Sequence, residues 1–67
     1  MSTITEQFRD QVEAYLATSG MDATSFGRAA LNDPRFVFDL RKGRAPSIKT
    51  VDRVIEWMRE NAGEAAA

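Results

Sequence analysis

Apolar residues recur at three- and four-residue spacing along most of the chain, so the pattern is that of successive amphipathic helices. Ile4, Phe8, Val12, Tyr15 and Leu16 fall on one face of a helix over roughly 4–18, with Arg9, Asp10 and Glu13 mostly outside it. Thr3 and Glu6 have the spacing of a capping box that satisfies free backbone donors at its start. Ser19-Gly20 ends it, because glycine takes the left-handed conformation after a helix at little steric cost. Asp22 caps a short second helix with Phe26, Ala29 and Ala30 inward and Arg28 outward. Gly27 lies inside that helix, where it costs about 1 kcal/mol relative to alanine, so another part of the molecule is expected to pass close by.

Asn32-Asp33-Pro34 punctuates the chain again. Asparagine tolerates the left-handed region, aspartate caps, and proline at a first helical position loses only an amide that had no partner. A third helix is expected over about 33–42, with Phe36, Val37 and Leu40 inward, Phe38 outward, and Gly43 closing it after Arg41 and Lys42. Pro46-Ser47 opens a last helix with Ile48, Val51, Val54, Ile55 and Met58 inward and Trp57 on the edge of that stripe. From Asn61 onward no apolar periodicity remains. The expected organisation is therefore one all-α domain of four or five helices over 1–60 and a frayed or disordered tail over 61–67, without an internal repeat or linker.

Composition narrows the chemistry. The 67 residues include no His and no Cys, which removes the commonest general base, thiolate nucleophiles, disulfides and the usual zinc ligands. A domain of this size buries only about 60% of the surface its unfolded chain exposes, leaving little room for a catalytic cleft. No phosphate-cradling glycine loop, nucleophile elbow or metal-ligand spacing is present, so neither an enzyme nor a cofactor is expected. Glu6, Asp10 and Glu13 share a helix face and read as a solvated acidic surface, not an acid/base pair. Residues 1–8 have neither a cationic start nor an apolar stretch, and no apolar run approaches the ~18 residues that cross a bilayer. A cytoplasmic protein is expected.

Charge distribution changes the choice of partner. The chain carries 9 Lys+Arg against 10 Asp+Glu, but the signs are segregated. Residues 1–27 hold Arg9 against Glu6, Asp10, Glu13 and Asp22. Residues 54–67 hold Arg59 against Glu56, Glu60 and Glu64. Between them Arg28, Arg35, Arg41, Lys42, Arg44, Lys49 and Arg53 stand against Asp33, Asp39 and Asp52. Fields at a protein surface act over about 8 Å in physiological salt, so a cationic centre attracts phosphates despite acidic ends.

Helix, tight turn, short helix, basic loop and helix together resemble the lambda-repressor-like family of helix-turn-helix transcriptional regulators, also called the XRE or Cro/repressor family. The resemblance covers about Phe8 to Met58. Gly20-Met21-Asp22 looks like the family's link into helix 2, Phe26-Gly27 its large-small pair, Val37, Leu40 and Gly43 its recognition helix and end, and Arg44, Pro46, Ser47, Thr50 and Val51 its opening of helix 4. Two departures stand out. Leu31 occupies a position where the family often has glycine, leaving Asn32 to make the left-handed turn, and Pro34 replaces a side chain able to bond a base.

The resemblance implies a small sequence-specific DNA-binding regulator, more often a repressor, associated with the nucleoid, with helix 3 in the major groove of double-stranded DNA. Arg35 is then the first candidate for base contact, because its guanidinium matches guanine O6 and N7, a contact worth about 1–3 kcal/mol of discrimination. Asp39 either accepts from cytosine N4 or pairs with Arg35, and Phe38 meets a thymine methyl or serves as a protein contact. Ala23, Thr24, Ser25, Arg28, Arg41, Lys42, Arg44 and Lys49 are candidates for phosphate contact, which positions without reading sequence. A homodimer on a palindromic site is expected, with Trp57 and Met58 as a candidate seam and plain core packing as the alternative. The competing reading is a protein-interaction module, such as an antitoxin or adaptor, using the helix 1 and helix 4 surface.

Overall fold

The computed structural model describes residues 3–66, which form four helices and no strand: α1 Ile4–Ser19, α2 Ala23–Leu31, α3 Phe36–Arg41 and α4 Ile48–Ala66. Each boundary has a local cause. At α1 the Glu6 N–H donates to Thr3 Oγ1 at 3.1 Å while the Thr3 N–H donates to Glu6 Oε1 at 3.3 Å, closing the capping box. Gly20 ends it at φ 75°. Asp22 caps α2, and Asn32 ends it in the left-handed region at φ 56°, ψ 34°, its N–H donating to the Arg28 carbonyl at 2.9 Å. Ser47 caps α4 by accepting the Thr50 N–H at 3.2 Å.

Phe26, Leu40, Val12, Val37 and Val54 are fully buried, one or two from each helix, and Phe8, Leu16, Ala30, Phe36 and Met58 complete the core. α2 packs most extensively, against both α3 and α4, and so forms the centre of the bundle. Its approach to α3 depends on Gly27, where a Cβ would collide with the Asp33 carbonyl oxygen. The Asp33 N–H donates to the Gly27 carbonyl at 3.0 Å, so the close passage is also a hydrogen-bonded one. Gly43, at φ 94°, turns the chain out of α3. Among the described residues no helix is long and apolar enough to cross a membrane.

Several expectations are corrected. α3 begins at Phe36, three residues later than Asp33. The Phe36 N–H donates to the Asp33 carbonyl at 3.2 Å, and Asp33 Oδ1 accepts the Arg35 N–H at 3.0 Å, so Asp33-Pro34-Arg35 forms a tight side-chain-stabilised turn ahead of the helix. α4 keeps helical backbone past Asn61 to Ala66, where Ala and Glu favour helix without an apolar stripe; Ala67 lies outside the described residues. Ile4 and Ile48, placed on apolar faces by periodicity, are 81% and 82% exposed because each is the first residue of its helix, beyond the reach of the core. Ala29, expected inward, is exposed.

Candidate nucleic-acid interface

α3 turns Phe36, Val37 and Leu40 into the core, and this fixes what remains outside. Phe38 is 43% exposed, Arg35 is exposed at the N-cap, and Asp39 is half-buried. The three candidate base-contact residues thus lie along the outer side of one short helix and its leading turn. Arg35 makes no side-chain hydrogen bond or ion pair with any described residue. The expected Arg35–Asp39 pair does not form. Asp39 instead faces the Gly43 turn, where Oδ2 lies 3.5 Å from Arg44 Nη1 and its carbonyl accepts the Arg44 N–H at 3.1 Å. A charge displaced one turn toward the C-terminus leaves the Arg35 guanidinium unclaimed.

The candidate phosphate contacts divide into two groups. Arg28, Lys42 and Lys49 are exposed and make no ion pair among the described residues, and Arg44 is exposed despite its long contact with Asp39. These four remain able to meet a polyanion. The opening of α2 carries its own acidic cap. The Ser25 hydroxyl donates to Asp22 Oδ1 at 2.7 Å and its N–H donates to Oδ2 at 3.1 Å, and these bonds hold the Asp22 carboxyl below the usual carboxylate range. A phosphate approaching Ala23, Thr24 and Ser25 would meet that carboxylate, and Ala23 is packed against the core, so the Asp22 charge opposes an anion at this end of α2.

Arg41 is also engaged elsewhere. Its Nε donates to Glu13 Oε2 at 2.7 Å and its Nη2 donates to Oε1 at 2.9 Å, a two-pronged pair joining α3 to α1 across 28 positions of sequence. The hydrogen bond from Arg41, then the charges of Arg41 and Arg9, hold the Glu13 carboxyl below its ordinary value against the opposing effect of burial, and Arg41 is correspondingly raised. The guanidinium carbon stands 5.9 Å from the centroid of the exposed Phe38 ring. Glu13 was expected only as part of a solvated acidic face. Nothing in helical spacing reveals a partner so distant in sequence.

Of the two candidate seam residues, Met58 lies inward and Trp57 is partly exposed. Met58 is 9% exposed and belongs to the core. Trp57 is half-buried, with its ring 5.2 Å from Phe26 and 5.6 Å from Tyr15 in edge-on contacts, so one side of the indole packs against the bundle.

A groove of about 220 Å³ lies between α3 and the start of α4, lined by Asp33, Phe36, Asp39, Leu40, Arg44, Ala45, Pro46 and Thr50. It is smaller than the ~300–1,000 Å³ of ordinary small-molecule sites. Among the described residues no three acidic side chains cluster as a metal site would require. The chain matches no known protein family, curated protein or solved structure.

Proposed function

We propose that this chain is a small sequence-specific DNA-binding regulator of the lambda-repressor-like helix-turn-helix type, more often acting as a repressor, which inserts α3 into the major groove of double-stranded DNA. The observation that carries the reading is the α2–Asn32–α3 pair. A left-handed Asn32 joins the helices tightly, Arg35 ahead of α3 and Phe38 on it are exposed, and Arg28, Lys42 and Lys49 make no ion pair among the described residues. In this reading Arg35 reads a guanine, Phe38 packs on a thymine methyl, and Lys42, Arg44, Arg28 and Lys49 hold phosphates. Six residues of α3 offer few base contacts, so a single copy binds weakly and a homodimer on a palindrome supplies the affinity.

Selection from a random duplex library at two salt concentrations tests this. The reading expects a palindromic motif. Arg35→Ala then relaxes preference at one base pair, whereas Lys42→Ala weakens all sequences alike and flattens the log-log salt slope by about one unit. Recovery of no motif, or a Lys42→Ala effect confined to one base, contradicts it.

A second reading, a protein-interaction module, draws support from a different place. Ile4, Thr5, Phe8, Pro46, Ile48 and Val51 line an apolar groove between the starts of α1 and α4, and its two isoleucines are the most exposed large apolar side chains described. Motif-free, salt-labile DNA binding favours that reading.

A further inference from the structure

Among the described residues, Arg41 is the one cation around α3 that donates two hydrogen bonds to a carboxylate of another helix. Its guanidinium carbon also lies 5.9 Å from the centroid of the exposed Phe38 ring, so it borders the face that the proposed function turns toward DNA. A guanidinium on that face, if free, would seek a phosphate, and such contacts raise affinity for every sequence equally. Resting on the DNA-binding reading above, we infer that Glu13 is a positioning residue that withholds Arg41 from the phosphate backbone and keeps it beside Phe38, trading non-specific affinity for discrimination. The geometry suits the task. Arg41 and Glu13 side chains remain 43% and 38% exposed, so the guanidinium stands where it would reach a phosphate once Glu13 released it. Both prongs of the guanidinium fork are used on one carboxylate, which fixes its direction in a way a single contact would not. Arg44 differs: its contact with Asp39 is single and 3.5 Å long, leaving it able to turn outward.

The test compares wild type, Glu13→Gln, Arg41→Gln and the double variant, each binding a fluorescent duplex of scrambled sequence and the duplex recovered by selection, from low to moderate salt. Thermal melts accompany each variant. Glutamine keeps the shape of Glu13 but cannot hold the guanidinium by charge. Glu13→Gln is expected to bind the scrambled duplex roughly five- to tenfold more tightly near 0.1 M salt, with a log-log slope steeper by about one unit, and to lose discrimination between the two duplexes. Arg41→Gln alone leaves the wild-type slope unchanged. The double variant returns to that slope, which separates release of Arg41 from the mere loss of a negative charge. A merely structural strut would shift the melts and leave the slopes alike. The inference is overturned if Glu13→Gln does not steepen the slope, or if Arg41→Gln by itself flattens it by about one unit, since Arg41 would then already hold a phosphate. Wild-type protein with no salt-dependent affinity for either duplex would overturn the DNA-binding reading itself, a result distinct from a wild type that binds and a variant that does not respond.

Discussion

A methyl group added at Gly27 would run into the Asp33 carbonyl oxygen, with the Phe36 Cβ 3.5 Å away on the same side. Helix propensity alone makes Gly27→Ala stabilising by about 1 kcal/mol, whereas forcing two backbones apart costs about 1–3 kcal/mol or more. The second effect prevails here because the obstacle is backbone and cannot rotate away. Gly27→Ala is therefore expected to lower the urea midpoint; a raised midpoint would mean that α2 and α3 are not held by this close passage. The need for a close neighbour at Gly27 was legible from sequence, since glycine inside a helix has a local cost that something must offset. The identity of that neighbour was nearly legible too, because the turn is only six residues away. The pair of Glu13 with Arg41 was not. Both residues read as solvated charges on separate helix faces, and only the packing of α1 against α3 brings them within hydrogen-bond distance.

Among the elements, the α2–α3 connection bears most on the proposed function, because it sets the angle at which α3 stands out. Asn32 makes the turn at φ 56°, a region where alanine suffers from its Cβ and glycine does not. Asn32→Ala is expected to cost about 1–2 kcal/mol in denaturation experiments, and Asn32→Gly much less. Equal losses for both would show that the side chain, not the backbone conformation, matters. Caps were the most readable features of the sequence: Thr3 with Glu6, Asp22, Ser47 and the terminators Gly20 and Asn32 all act where residue chemistry requires. Helix interiors were readable as faces but not as burial. Spacing puts Ile4 in line with Phe8, and Ile48 in line with Val51, yet spacing does not say where the neighbouring helix stops. The start of α3 was misplaced for a related reason. Asp33 has the chemistry of a cap and spends it on the Arg35 amide inside a turn, so the helix opens later and is shorter than expected.

At the scale of the whole molecule, a core of about ten buried side chains supports four helices measuring 32 × 26 × 20 Å. The aromatic cluster of Tyr15, Phe26 and Trp57 joins α1, α2 and α4. Removing the indole by Trp57→Ala is expected to cost about 3 kcal/mol against the ~3–5 kcal/mol that a core this small supplies, leaving about 0–2 kcal/mol, so circular dichroism should show a strongly lowered melting temperature and up to about half the protein unfolded at room temperature. A folded Trp57→Ala protein altered only in its association would return the indole to the role of a seam. The fold class was legible because helical periodicity and caps agree along the chain, whereas the interface depends on which cations remain free after folding, a property of tertiary contacts. Among the described residues Arg35 and Lys42 make no ion pair, Arg41 makes one with Glu13, and Asp22 sets a negative charge at the α2 opening. The most direct check is to titrate the isotope-labelled protein with a short DNA duplex at low salt and follow each backbone amide by NMR. The account predicts the largest shifts at Arg35, Phe38, Asp39 and from Lys42 to Arg44, with the groove around Ile4 and Ile48 little changed. Silent α3 amides, or changes gathered at Ile4 and Ile48 instead, would contradict it.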